Sequence, residues 1–275
     1  MTRYLITNAD DFGLSLGVSR GIIRAHREGI LTSTSFMTNF PWAEEMALLL
    51  QEAPDLGVGI HLNLTTGAPV SPAAEVRSLV CPDGHFSRSL LRVLTRVRID
   101  AVRQEWAAQI EKGIKLLGKT PTHLDTHRYL QVYPPFCAVM LELAKRYGIQ
   151  AVRYLQPKFV PQGAFHPWSP AGYLVDRGLK RTAGMIKESG LKAPDQALAG
   201  DFDLEVLLDR LNLVGEGVTE LIAHPGEVDA QLTSLSSLRE QRKSELAALV
   251  TPEARHRVEE RGITLIHFGQ LGVSR

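Results

Sequence analysis

The chain has 275 residues, of which 44% are hydrophobic and 22% charged, and its formal net charge is +1. That size and composition suit one large or two small globular α/β domains, and the near-neutral balance excludes the basic field that nucleic acid or an anionic lipid surface would require. No apolar run reaches membrane-spanning length and no secretory leader pattern opens the chain, so the expectation is a cytoplasmic protein without membrane insertion; Cys81 and Cys137 stand in no metal-type spacing and suit a reducing compartment.

Residues 4–7 read as a buried strand that runs into Asp10-Asp11-Phe12-Gly13. Neighbouring strand residues point to opposite faces, so two adjacent acids share one site only where the strand frays into a loop. Residues 15–28 read as a helix with Ser15 as its N-cap and Gly29 as its stop. A β-prone run at 33–38, a helix at 41–52 and a strand at 58–64 follow. Residues 65–99, with Pro69, Pro72, Pro82 and the turn Asp83-Gly84, read as a long excursion or lid. An amphipathic helix at 100–117, a strand at 122–126, a helix at 134–147 and a strand at 151–154 continue the alternation. The Pro- and Gly-rich stretch 156–172 reads as a long loop. Helices at 173–188 and 203–213, a strand at 220–223, helices at 236–249 and 252–261 and a last strand at 264–268 complete the chain. Alternating β and α elements argue for a parallel sheet, and seven or so strands lean toward a closed (β/α) barrel spanning residues 1–275 as one domain.

Polar clusters sit at the expected strand ends: Asp10-Asp11, His61 within an apolar strand, His123-Leu124-Asp125-Thr126-His127, and His224 before Pro225. Period-2 alternation puts His123, Asp125 and His127 on one side of their strand. Each cluster has a structural explanation of its own: a helix N-cap, a hydrogen-bonded core histidine, an Asp–His pair, a surface turn. Four together at strand ends favour a site. Imidazole and carboxylate donors suit a divalent first-row cation, and one Asp with two His leaves positions open for water and substrate. A further acid can take a proton from water, and a distant His can give one to a leaving group. Trp42, Trp106, Trp168 and Tyr173 include candidates for stacking on a ligand, Trp106 reading as core and Trp168 as the better candidate.

These clusters resemble the YdjC-like carbohydrate deacetylases, the family that includes chitooligosaccharide and hopanoid-biosynthesis deacetylases. The matching text comprises Asn8-Ala9-Asp10-Asp11-Phe12-Gly13-Leu14-Ser15, Gly21-Ile22-Ile23, Gly29-Ile30-Leu31-Thr32-Ser33-Thr34-Ser35, Gly59-Ile60-His61-Leu62, Lys119-Thr120-Pro121-Thr122-His123-Leu124-Asp125-Thr126-His127 and His224-Pro225. The resemblance implies a distorted TIM-like (β/α) barrel, a homodimer, and a hydrolase that removes an N-acetyl group from a sugar with one divalent metal, zinc or magnesium, with cobalt or nickel also allowed. It implies Asp11, His61 and His127 as metal ligands, Asp10 as general base and His224 as general acid. Asp125 is then an orienting or substrate-contacting residue. The family's histidine-rich run after the last ligand is replaced here by Arg128-Tyr129-Leu130-Gln131. Arg128 and Tyr129 are therefore candidate substrate contacts, through charge-assisted hydrogen bonds and ring stacking. Two alternatives stand beside this reading: a different metal-dependent hydrolase on the same barrel, with Arg128 and Arg153 open to an anionic substrate, and a non-catalytic sugar-binding relative.

Overall fold

The computed structural model describes residues 2–156 and 170–272. Its centre is β1 (Arg3–Phe12), buried from Leu5 onward. A strand covered on both faces needs no polar alternation, and Tyr4-Leu5-Ile6 has none. One edge of β1 pairs in parallel with β6 (Gly217–Ala223) along residues 3–9. The opposite edge is divided between β7 (Ile263–Leu265), beside residues 3–5, and β2 (Ser33–Phe36), beside residues 8–12. The sheet continues from β2 to β3 (Gly57–Leu62) and β4 (Leu124–Thr126), and from β6 to β5 (Gln196–Leu198), every pairing parallel.

The two ends of this path curl toward each other. The strand expected at 151–154 supplies only single bridges, Val152 to Leu124 and Ala151 to Lys192. Beyond them the side chain of Gln156 takes the place of a strand pairing: its amide donates to the Ala197 carbonyl and accepts from the Ala197 N–H, both at 2.8 Å. The result is an incompletely closed (β/α) barrel: the alternation of elements leaned toward a closed one, and the distortion is that implied by the family resemblance.

Helices α1 (Leu16–Glu28), α2 (Ala43–Leu49), α3 (Leu90–Arg96), α4 (Ile99–Leu117) and α5 (Pro134–Arg146) cover one half of the sheet. The other half is covered by α6 (Pro170–Ser189), α7 (Leu204–Asn212), α8 (Ala230–Leu235), α9 (Glu240–Leu249) and α10 (Pro252–Glu260). Ser15 caps α1 through the Val18 N–H, as its sequence position suggests, and Asp203 caps α7 through the Val206 N–H. The helix expected at 236–249 starts only at Glu240, as α9, and the short α8 before it was not expected. Ser236 ends α8 and accepts from the Leu238 N–H, a local side-chain bond that competes with helix continuation. The 65–99 excursion carries the short α3, with Ser89 as its cap. Most of the loop expected at 156–172, with Trp168, lies outside the described residues, and α6 begins at Pro170. No helix among the described residues is long and apolar enough to cross a membrane.

This topology aligns the C-terminal ends of β1, β3, β4 and β6 at one mouth, where a parallel barrel places its chemistry. The barrel floor beneath is packed tightly. His123 stacks on Phe268 with ring centroids 3.8 Å apart, and a Cβ on Gly59 would stand 2.4 Å from the His123 ring, so only glycine fits there. Burial drives the His123 imidazole down to about 3, which keeps it neutral; it is a floor residue, separated from Asp125 and His127 in role.

Candidate active site

The two adjacent acids reach one cleft without the fraying expected for them. β1 continues through Phe12, but its register with β2 slips between Ala9 and Phe12, and Asp11 adopts φ 71°. The left-handed turn of one residue inside the strand swings the Asp11 side chain to the same mouth as Asp10. Aspartate tolerates this region better than most residues do, and such strain clusters at functional positions.

Asp11 Oδ1 stands 3.5 Å from His61 Nε2 and 3.1 Å from His127 Nδ1. The donor atoms of these residues lie within 4.8 Å of one another. Asp11 Oδ1 is buried and accepts no well-aligned hydrogen bond. A buried carboxylate oxygen left unsatisfied between two imidazole nitrogens is the arrangement a divalent cation completes. Asp10, His61 and Asp125 also converge. In that set, however, the His61 Nδ1–Asp125 Oδ1 contact of 2.8 Å and the Asp10–Arg153 contacts already satisfy the polar atoms. Asp11, His61 and His127 therefore fit a metal best, with Asp125 orienting the His61 ring from behind. Burial alone would lower the His61 pKa, but Asp125 and Asp10 outweigh it and raise the group to about 9. Burial likewise opposes ionisation of Asp11, and Arg242 with His127 reverses this, holding the carboxyl well below its ordinary range.

Under the mouth runs a buried ion network. Arg153 has no solvent exposure. It binds Asp10 through two parallel contacts, Nη2–Oδ1 at 2.6 Å and Nη1–Oδ2 at 2.8 Å, and meets Asp125 Oδ2 and Glu220 Oε1 at 2.7 Å each. Its guanidinium is thus saturated by carboxylates and is not open to an anionic substrate, contrary to that expectation. Asn8 donates to Asp10 Oδ1, and Ser35 donates to Asp125 Oδ2. Burial pushes Glu220 up to about 7 against the pull of Arg153.

His224, at the end of β6, faces Asp10 Oδ2 from the other side, with Nε2 3.9 Å away. Burial lowers its pKa, and Asp10 counters. Its backbone N–H donates to Glu245 Oε2 at 2.5 Å, from α9. Burial raises the Glu245 carboxyl to about 8 despite that bond. A raised native pKa means the folded protein holds the proton more tightly, so the stabilisation is complete below the unfolded value near 4.3 and is lost as pH rises through about 8. Glu245→Gln keeps an acceptor for the His224 N–H and cannot ionise. The variant is expected to gain thermal stability relative to the wild type as pH rises from about 5 to 8, measured as the difference in Tm. A difference that stays constant over that range contradicts this role for Glu245.

After His127 the chain makes a 3-10 turn (His127–Val132) in which Arg128 and Tyr129 take φ 58° and 56°. Both line the cleft, which has a volume of about 730 Å³. Arg128 donates to the Arg88 carbonyl at 2.7 Å, and Arg88 in turn donates to the Ser234 carbonyl at 2.8 Å. Arg128 thereby ties the 65–99 excursion to the rim. Burial first, and Asp10 second, hold the Tyr129 hydroxyl in its protonated form. Trp42 donates to the Gly13 carbonyl and stacks on Phe40, while Trp106 is fully buried; neither lines the cleft. Tyr173 is 63% exposed and also lies outside the lining. Arg242, Glu245 and Glu220 were not anticipated from sequence. Their only signal was a charged residue within an otherwise apolar strand or on the inward face of a helix.

A family model described as YdjC-like protein matches residues 4–260. A carbohydrate deacetylase of Geobacillus stearothermophilus is 37% identical over 272 residues, covering 98% of each chain. One from Thermoanaerobacter pseudethanolicus is 32% identical over 273 residues, covering 98% of this chain and 99% of that protein. A chitooligosaccharide deacetylase of Proteus mirabilis is 30% identical, covering 96% and 97%. Among solved structures, a protein of Enterococcus faecalis named for cellobiose-phosphate cleavage superposes with a TM-score of 0.83 at 30% identity, covering 98% of both chains. Matched over nearly its whole length by that model and by these relatives, the chain belongs to the YdjC-like family.

Proposed function

We propose that this protein is a metal-dependent hydrolase that removes the N-acetyl group from an acetylated amino sugar or sugar conjugate and releases acetate. The observation that carries this reading is the unsatisfied Asp11 Oδ1 between His61 and His127, with Asp10 alongside. The names of the relatives, carbohydrate and chitooligosaccharide deacetylases, support an acetylated sugar as the substrate. A divalent cation held by Asp11, His61 and His127 would polarise the acetamide carbonyl and acidify water at the site. Two imidazoles and one carboxylate favour zinc over magnesium, which prefers oxygen donors.

The protein's own groups divide the proton transfers. Asp10 Oδ1 takes two donors, Asn8 and Arg153, whereas Oδ2 takes one and stands 3.9 Å from both His61 Nε2 and His224 Nε2. Oδ2 is the acceptor for a proton of the attacking water. As the new C–O bond forms and the C–N bond breaks, His224 protonates the leaving nitrogen, drawing on the proton that Asp10 has taken. Apolar walls from Leu14, Leu90, Val132 and Leu235, with Tyr129 and Tyr133, enclose the sugar above this polar floor. Such a cleft excludes bulk water and strengthens each charge interaction inside it.

The test is acetate release from a panel of N-acetylated sugars, using metal-stripped protein and protein restored with zinc, magnesium, cobalt or nickel. Release is expected only with metal restored. Asp11→Ala should lose metal binding and turnover together. Stoichiometric metal without acetate release from any substrate would point to another hydrolytic reaction, and absence of bound metal to a non-catalytic relative.

A further inference from the structure

Each acid of the Asp10-Asp11 pair has its own arginine. Arg153 holds Asp10. Arg242, on α9, reaches Asp11 Oδ2 with Nη2 at 2.5 Å. Its side chain is 1% exposed. Nη1 lies 3.5 Å from the His224 carbonyl, and the Arg242 backbone carbonyl accepts the Gly226 N–H at 3.2 Å. The guanidinium thus contacts residues at the ends of two of the strands that form the mouth, Asp11 of β1 and His224 after β6, and its burial holds it against Asp11. Oδ1, the oxygen facing His61 and His127, stays outside this contact.

We infer that Arg242 is a positioning residue that confines Asp11 to a single metal-facing oxygen, an inference that rests on the metal reading above. A free carboxylate can offer a cation both oxygens. A planar guanidinium that occupies one of them with a short charge-assisted bond leaves only the other. One coordination position is thereby kept for water or the substrate carbonyl. The arrangement exchanges some metal affinity for an open site, because a fixed positive charge stands close to the cation.

The experiment loads the full chain with Co²⁺ and reads its visible absorption alongside kcat and KM for acetate release. The neutral variants Arg242→Met and Arg242→Gln free Asp11 Oδ2. Either is expected to weaken the Co²⁺ bands, as a higher coordination number does, and to lower kcat about 10–100-fold with little change in KM. Arg242→Lys, whose ammonium can still take Oδ2, should recover the wild-type spectrum and most of the turnover. If wild type binds one Co²⁺ and a folded neutral variant shows the same spectrum and kcat, this inference is overturned while the metal reading stands. If wild type itself binds no Co²⁺, the metal reading falls and the inference falls with it.

Discussion

Asp10→Asn is expected to lower kcat by about 10²–10⁴ while leaving metal stoichiometry unchanged. The amide removes the basic oxygen but not the volume, and it can still accept from Arg153. Arg153 keeps Asp125 and Glu220 as partners, so the network survives the loss of one charge. Asp11, His61 and His127 are not touched, so metal binding is not expected to follow the loss of turnover. Acetate release and metal content, measured on the same preparation, separate this outcome from that of Asp11→Ala. Full turnover by Asp10→Asn would place the base elsewhere. His224, 3.9 Å from the same oxygen, would be the first group to examine.

The largest expected effect on stability belongs to Arg153→Met. Removing one partner of a buried ion pair leaves the other charge uncompensated and costs about 3–5 kcal/mol. Here Asp10, Asp125 and Glu220 all lose their shared cation, and each is almost wholly buried. Glu220, already raised to about 7, can respond by taking up a proton. Asp125, held well below its ordinary value by Arg153 and His61 in the wild type, keeps only His61 against the cost of burial, so protonation becomes easier for it as well. A denaturant titration of the variant should therefore show a markedly lower midpoint. The deficit should shrink as pH falls, because the orphaned carboxylates can then be neutralised. Lysine is no substitute, since a single ammonium cannot reproduce the paired bonds to Asp10 while meeting two further carboxylates. A midpoint equal to that of wild type would contradict the structural role assigned to Arg153.

The parts of this site that were legible in the sequence were polar residues where apolar runs end. His61 interrupts Val58 to Leu64, and Asp125 and His127 follow Leu124 at period two, so the pattern itself marks them as anomalies. The position of Asp11 was legible, but its conformation was not: a φ of 71° within a strand leaves no trace in residue order. The arginines were hidden for a different reason. Arg153 follows Ala151-Val152 and read as a cation open to an anionic substrate, while Arg242, in the polar run Glu240 to Glu245, read as an ordinary surface charge. Their partners lie 143 and 231 residues away in sequence. Among the strands, Gln196–Leu198 escaped notice because three residues beside Pro194 and Asp195 carry too little pattern. The helix that starts at Glu240 was expected four residues too early because Leu235 and Leu238 carry a helical apolar spacing through the loop, and the six-residue α8 has too little pattern of its own.

The central place of β1 also has a consequence for how the molecule is made. The strand is synthesised well before its longest partner, β6, which starts only at Gly217. The Arg242 that neutralises Asp11 comes later still. Until those residues are made the two acids lack their finished setting, and the edge of β1 that β6 will cover has no strand beside it. Contacts so distant along the chain are slow to form, and an uncovered strand edge is adhesive. The mouth of the barrel is thus among the last parts to be completed, and a chain arrested before residue 217 would leave the adjacent acids and the uncovered edge of one strand exposed together.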